Sequence, residues 1–333
     1  MKNVRNSSKN TPELSVVVPA YNIENYIGRC IESLLKQDTI DLEIIIVDDG
    51  STDRTGSIAE EYAAAESRIK VVHQENQGLY KARTCGVRFA SAEYVTFCDG
   101  DDYIDKEFYG CVLEKIKKYG CDVLQFGYKK VKNNKVIWKF EPRYREMSGR
   151  EALKSMLETL QFANSNWCKL YRKSLFDGIE FNENVKCNDE DVLLQVKILP
   201  DARKVYSIPI AGYNYDIREG SIVHRARGME GINILNTDRI IYEYALGRLD
   251  QELCKSVAYD YSAKLAYWYN KCSCAGYKAK AREINELFRM IVKKNHLFGY
   301  FPKDASSRRV MMIHSLYICP PLCKMLYKIA VKG

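Results

Sequence analysis

No apolar run in the 333-residue chain approaches the roughly 18–20 residues needed to cross a bilayer. The opening MKNVRNSSKNTPE is polar, and the apolar stretch after it, Leu14–Val18, is too short for the core of a secretory leader. Neither secretion nor integral membrane insertion is expected. There is no CxxC among the 12 cysteines, and Cys272–Cys274 and Cys319–Cys323 have no histidine at zinc-ligand spacing. That excludes a zinc framework and argues for reduced thiols, several of them (Cys30, Cys85, Cys111) placed as small hydrophobes in apolar segments. Glycine never falls into GxGxxG or a Walker-type loop, which removes dinucleotide enzymes and P-loop NTPases. Only Pro302 interrupts the stretch from Met229 to the Pro320–Pro321 pair, so that stretch is free to be helical.

What is present is an ordinary globular composition, 46% hydrophobic and 28% charged, enough for one large or two modest domains. Charge is unevenly placed. Residues 231–333 hold 17 basic against 8 acidic residues, a net of +9, while residues 1–230 carry a net of −1. The first part is therefore no nucleic-acid surface, and the last part is suited to face something anionic.

The chain begins with alternating strand and helix patterns. Leu14–Val18, Glu43–Val47, Ile69–Val72, Tyr94–Cys98 and Asp122–Tyr128 are strand-like; helical patterns separate them, the first capped by Asn22 and the second by Ser51-Thr52-Asp53. Such alternation predicts an α/β fold, a mostly parallel, doubly wound sheet with helices on both faces. Lys132-Asn133-Asn134-Lys135 predicts a hairpin turn. The pattern turns helical from Met229, with a boundary near Arg225–Gly228. The expected division is a flexible 1–11, a domain over 12–228 with halves of about 12–130 and 131–228, and a basic helical region over 229–333.

In an open parallel sheet ligands bind beyond the carboxyl ends of the strands. Asp48-Asp49-Gly50-Ser51 and Asp99-Gly100-Asp101-Asp102 both fall at predicted strand ends. Strand-end Asp, Gly and Ser are often only turn and cap residues. Five carboxylates converging on one edge, however, repel one another and call for a cation or hydrogen-bond donors. Oxygen ligands favour Mg²⁺ or Mn²⁺, and an EF-hand loop is excluded because its sixth position would be Ile104. A metal–diphosphate site is the expectation.

These residues resemble a known family. Pro19-Ala20-Tyr21-Asn22, Val47-Asp48-Asp49-Gly50-Ser51-Thr52-Asp53, Asn76-x-Gly78-x-x-x-Ala82-Arg83 and Asp99-Gly100-Asp101-Asp102 follow the order and spacing of family 2 glycosyltransferases over roughly residues 12–225. The resemblance implies a GT-A (Rossmann-like) fold and an inverting, metal-dependent transfer of one sugar from a nucleotide-diphosphate sugar, with UDP-sugars favoured. It places Pro19, Tyr21 and Asp48 in the nucleotide cleft, Asp49 on the nucleobase and Arg83 near the nucleotide. Asp99 and Asp101 become the DxD motif on ribose and Mn²⁺ or Mg²⁺, with Asp102 and His224 as further candidate metal ligands. Asp191, beside Glu190, stands where the family keeps its catalytic base; Asp189 occupies a position where glycine is common, so any of the three remains a candidate. Tyr213-x-Tyr215 and Gly220-Ser221-Ile222 resemble the family's closing segment. A QxxRW motif, the mark of processive synthases, is absent.

The acceptor implied is a glycan or lipid-linked glycan in cell-surface polysaccharide or glycolipid assembly. The enzyme is expected in the cytoplasm, peripheral on the membrane through its basic C-terminal region. A catalytically degenerate scaffold and a sugar nucleotidyltransferase are the competing readings, although the latter's Gly-rich, Arg-containing loop is missing. Trp167, Lys169 and Tyr171 suit an acceptor cleft less well than a core.

Overall fold

The computed structural model describes residues 11–183, 185, 189–218 and 228–332. The chain divides into two compact units, interleaved in sequence: Met1–Gly149, Ser165–Lys186 and Asp201–Ser221 in one, Arg150–Asn164, Cys187–Pro200 and Ile222–Gly333 in the other.

The first unit is built on a ten-stranded sheet. Its strands are β1 (Leu14–Ala20), β2 (Leu42–Asp48), β3 (Ile69–His73), β4 (Tyr94–Phe97), β5 (Tyr103–Ile104), β6 (Val123–Lys132), β7 (Lys135–Phe140), β8 (Arg145–Met147), β9 (Lys169–Arg172) and β10 (Val205–Asp216). The order is β3-β2-β1-β4-β9-β6-β10-β5, with β7 on β6 and β8 on β10. β3, β2, β1 and β4 are mutually parallel, as the alternation predicts. Every residue of β1 and β2 is buried, which explains their unbroken apolar runs: strands covered on both faces have no solvent side to make polar. Helices α1 (Ile27–Leu35), α2 (Thr55–Ala65), α3 (Leu79–Phe89) and α4 (Phe108–Tyr119) cover the sheet, α3 against β1 and β2 and α4 against β6 and β10.

Two local readings need correction. Asn22 does not cap α1, which starts five residues later. It takes a left-handed conformation (φ 50°), and its Oδ1 accepts the Thr52 amide at 2.8 Å. β9 runs antiparallel between β4 and β6, so the sheet is mixed beyond its first four strands. Asn133 and Asn134, both at positive φ, form the hairpin turn between β6 and β7. Trp167, Lys169 and Tyr171 are buried, and Trp167 stacks on Tyr213 with ring centres 4.4 Å apart.

In the second unit, α5 (Gly149–Lys154) runs into one π-helical turn, and α6 (Glu190–Ile198), α7 (Ile234–Arg248), α8 (Gln251–Cys274), α9 (Lys278–Lys294), α10 (Ser307–Ile318) and α11 (Pro320–Lys332) follow. The long α8 is the hub on which α7, α9, α10 and α11 pack. Asp250 caps it, its Oδ1 accepting the amides of Glu252 and Leu253 at 3.1 Å. None of the described helices is long and apolar enough to cross a membrane. All eleven described cysteines are free thiols; Cys30 is buried, but Cys111 is exposed rather than packed as a small hydrophobe.

Candidate active site

The carboxyl ends of β1, β2 and β4 bring Pro19, Tyr21, Asp48, Asp49, Asp99, Asp101 and Asp102 to one edge of the sheet, because parallel strands in register end together. The Asp49 amide bonds the Ala20 carbonyl at 2.9 Å, and the Gly100 amide bonds the Pro19 carbonyl at 3.3 Å. Gly100 is required there: a Cβ would fall 3.1 Å from that carbonyl oxygen and 2.5 Å from Ile23. Tyr21, just past β1, is half exposed and open to a ligand.

Asp48 and Asp49 face different neighbours. Asp48 Oδ1 accepts the Ser51 amide at 3.1 Å, and its Oδ2 lies 2.9 Å from His73 Nδ1. His73 Nε2 lies 3.0 Å from Glu60, and the two carboxylates raise the imidazole pKa, Glu60 contributing most. Asp49 is buried. Its Oδ1 accepts Gln74 Nε2 at 2.7 Å and the Gln77 amide at 2.8 Å; its Oδ2 accepts the Gly78 amide at 2.8 Å. Those three bonds fix the 74–78 turn that leads into α3.

Arg83, on α3 and almost wholly buried, donates from Nη2 to Asp99 Oδ1 at 2.7 Å. Arg83, which the family resemblance places near the nucleotide, thus has its guanidinium on the Asp99 carboxylate. Arg218 reaches Asp101 Oδ2 at 2.6 Å through Nε and Nη2, and stacks over Tyr26. Burial raises the Asp101 pKa, and the Arg218 charge opposes that shift. Asp102 turns inward: its Oδ2 accepts the Tyr213 hydroxyl at 2.6 Å and its Oδ1 the Asp216 amide at 2.9 Å. Burial, then the charges of Asp101 and Asp99, push its pKa well above the usual carboxylate range. Tyr213 also accepts the Asp99 amide at 3.1 Å, so one buried phenol ties β10 to the acidic loop.

Arg218, Arg29 and Asp216 escaped the sequence reading. Arg29 donates to the Asp101 carbonyl at 2.9 Å and to Asp216 Oδ2 at 2.6 Å. Arg218 lies three residues beyond Tyr215, in the segment the family resemblance flagged, and that was the available signal. Arg29 lies in the first turn of α1 with no motif around it and gave none.

Glu190 and Asp191 belong to the second unit, in the first turn of α6, as the apolar spacing predicts. Asp189 precedes them in a left-handed conformation (φ 72°) and pairs with Lys264. The Lys264 ammonium also meets Asp238 and Asp260, each at 2.7 Å, and Asp260 pairs with Arg309. Asp189 is thus committed to a buried ionic cluster. His224 and Gly220-Ser221-Ile222 lie outside the described residues. Among the described residues no group of three His, Cys, Asp or Glu side chains is arranged to hold a metal. Asp99 and Asp101 offer carboxylate oxygens, the donor type that Mg²⁺ or Mn²⁺ takes, and each is engaged by a guanidinium.

Residues 15–179 match the family model for glycosyl transferase family 2. The chain is 33% identical over 273 residues to the EpsJ glycosyltransferase of Bacillus subtilis, covering 80% of this chain and 72% of that one. It is 34% identical over 219 residues to the glycosyltransferase GlyA of Streptococcus pneumoniae, but spans only 31% of GlyA's length. Among solved structures, S. aureus TarS residues 1–349 in complex with UDP-GlcNAc superposes with a TM-score of 0.69 at 24% identity, over 96% of this chain and 92% of that one. That likeness carries the GT-A fold. With the EpsJ identity and the strand-end motifs at the sheet edge, it leads to one assignment: the chain belongs to the family 2 glycosyltransferases.

Proposed function

We propose that the protein transfers one sugar from a nucleotide-diphosphate sugar to a hydroxyl group of a glycan or lipid-linked glycan, with inversion at the anomeric carbon. The observation that carries this reading is the gathering of Asp48, Asp49, Asp99 and Asp101 at one sheet edge, with Arg83 and Arg218 on the DxD carboxylates. A carboxylate offers about four acceptor positions. Asp49 has three in use, and the one remaining on Oδ2 suits a nucleobase N–H such as uracil N3. UDP and UDP-GlcNAc in the TarS complexes support a UDP donor. The likeness to the chondroitin synthase of Escherichia coli, 38% identical over 110 residues, supports a place in polysaccharide assembly.

Asp191 is our base. It removes the acceptor hydroxyl proton as that oxygen bonds the anomeric carbon and the bond to the diphosphate breaks. It lies in the first turn of α6. Glu190 beside it is the second candidate; Asp189 is not, because Lys264 holds it. Asp99 and Asp101 would hold Mn²⁺ or Mg²⁺, and Asp102 supports their loop from beneath. A bound divalent ion supplies charge stabilisation for the leaving diphosphate. Arg218, paired with Asp101, would take up part of that charge from the protein side.

The decisive measurement is UDP-sugar turnover with Mn²⁺ and after EDTA, alongside two variants. Asp191→Asn should lower kcat on the order of 10²–10⁴-fold, the usual worth of a general base, with donor affinity kept. Asp101→Asn should abolish Mn²⁺-dependent donor binding in a protein that still melts cooperatively. Turnover unchanged by EDTA removes the metal from the mechanism. A wild-type protein that binds no nucleotide sugar is a scaffold.

A further inference from the structure

We propose that α10 and α11 present a docking face for an anionic lipid membrane. Both helices already have an inner apolar stripe: Met312, Ile313, Leu316 and Cys323 are buried. A second stripe points outward. Met311 and Ile318, seven apart on α10, are 40% and 66% exposed, and Leu322, Met325 and Ile329 on α11 are 41%, 53% and 64% exposed. The spacings i, i+3 and i+7 keep the three α11 residues within one helical face. The ring of Phe301, 65% exposed, stacks on His314 of α10 with ring centres 4.6 Å apart and adds apolar surface beside the stripe.

Charge decides what covers this face. From Lys264 to Gly333 there are 14 basic and 3 acidic residues, a net of +11, and Lys303, Arg308 and Lys328 are exposed beside the stripe. A second copy would set +11 against +11, which opposes self-association. A nucleic acid would meet the cations but leave Ile318, Leu322 and Ile329 in water. An anionic bilayer meets both: apolar side chains enter the acyl boundary and lysines reach the headgroups. The stripe does not span, in keeping with the absence of any described helix able to cross. This inference stands apart from the transfer reaction, since a membrane face and a sugar donor site fail independently.

The experiment is co-sedimentation of the full chain with vesicles of phosphatidylcholine alone and of phosphatidylcholine with 30% phosphatidylglycerol, at low and high salt. Binding is expected to the anionic vesicles at low salt, weakening at least tenfold at high salt. Leu322→Ser/Met325→Ser/Ile329→Ser should abolish it while melting temperature and donor hydrolysis stay unchanged, because these side chains are exposed and none belongs to the donor site. Arg308→Gln/Lys328→Gln should weaken binding and reduce its salt dependence. The proposal is overturned if the wild-type chain stays in the supernatant with anionic vesicles. It is equally overturned if the triple variant sediments as well as the wild type, or if the same substitutions dissolve a dimer in vesicle-free buffer.

Discussion

Lys264 illustrates how much a single side chain can hold. Its ammonium meets Asp189, Asp238 and Asp260, and these partners lift its pKa further above the ordinary lysine value although burial opposes that. Removing one member of a buried ionic cluster leaves the others unpaired and costs about 3–5 kcal/mol. Lys264→Met should therefore lower the unfolding free energy by about that amount, read from urea denaturation. Lys264→Arg should recover part of it. His73 makes a subtler case. Its pKa is raised by Glu60 and Asp48, so its contribution is fully present below the unfolded value of about 6.5 and is lost as pH rises through the folded value. The ring is half exposed, so the contribution is a fraction of about 1 kcal/mol. The difference in melting temperature between wild type and His73→Gln should close as pH is raised from about 6 to about 9.

Among elements, the join of α3 to β1 is a close one. A Cβ on Gly86 would lie 2.3 Å from Val17 Cγ1, and this close approach lets α3 sit on the sheet with Arg83 aimed at Asp99. Gly86→Ala should destabilise by about 1–3 kcal/mol, the usual cost of overpacking. Adding Val17→Ala should restore part of the loss, in a chemical-denaturation double-mutant cycle. The elements also show what can be read from sequence. β1 and β2 announce themselves through Val16-Val17-Val18 and Ile44-Ile45-Ile46, where burial on both faces leaves only one kind of residue. α6 is equally plain, because Val192, Leu193 and Val196 repeat at helical spacing. β9 is not, since Lys169 and Arg172 bracket two residues in a four-residue strand whose partners lie 40 or more positions away. No local pattern carries that pairing. The same holds at the site: Asp48, Asp49, Asp99 and Asp101 are legible as motifs, but Arg218 on Asp101 and Tyr213 beneath Asp102 exist only once β10 is in place.

For the whole molecule, the uneven charge predicts uneven behaviour. The net −1 of residues 1–230 and +9 of the remainder should make solubility and ion-exchange retention depend on the last hundred residues. A chain ending near residue 305 should elute from a cation exchanger at clearly lower salt than the full chain.

The position of β9 also bears on the order in which the molecule forms. β4 and β6 lie close in sequence, yet they do not pair; the gap between them is filled by a strand that begins at Lys169. On a ribosome, β1 to β4 can assemble once their own residues have emerged, but β6 has no neighbour on that side until residue 172 follows. An early intermediate would expose the free edge of β4, and exposed edges invite pairing with other chains. Pulse-labelled hydrogen exchange during refolding should accordingly protect Val16–Val18 and Ile44–Ile46 before Val95 and Leu170. A chain truncated at about residue 165 should aggregate more readily than the full chain, as read by light scattering.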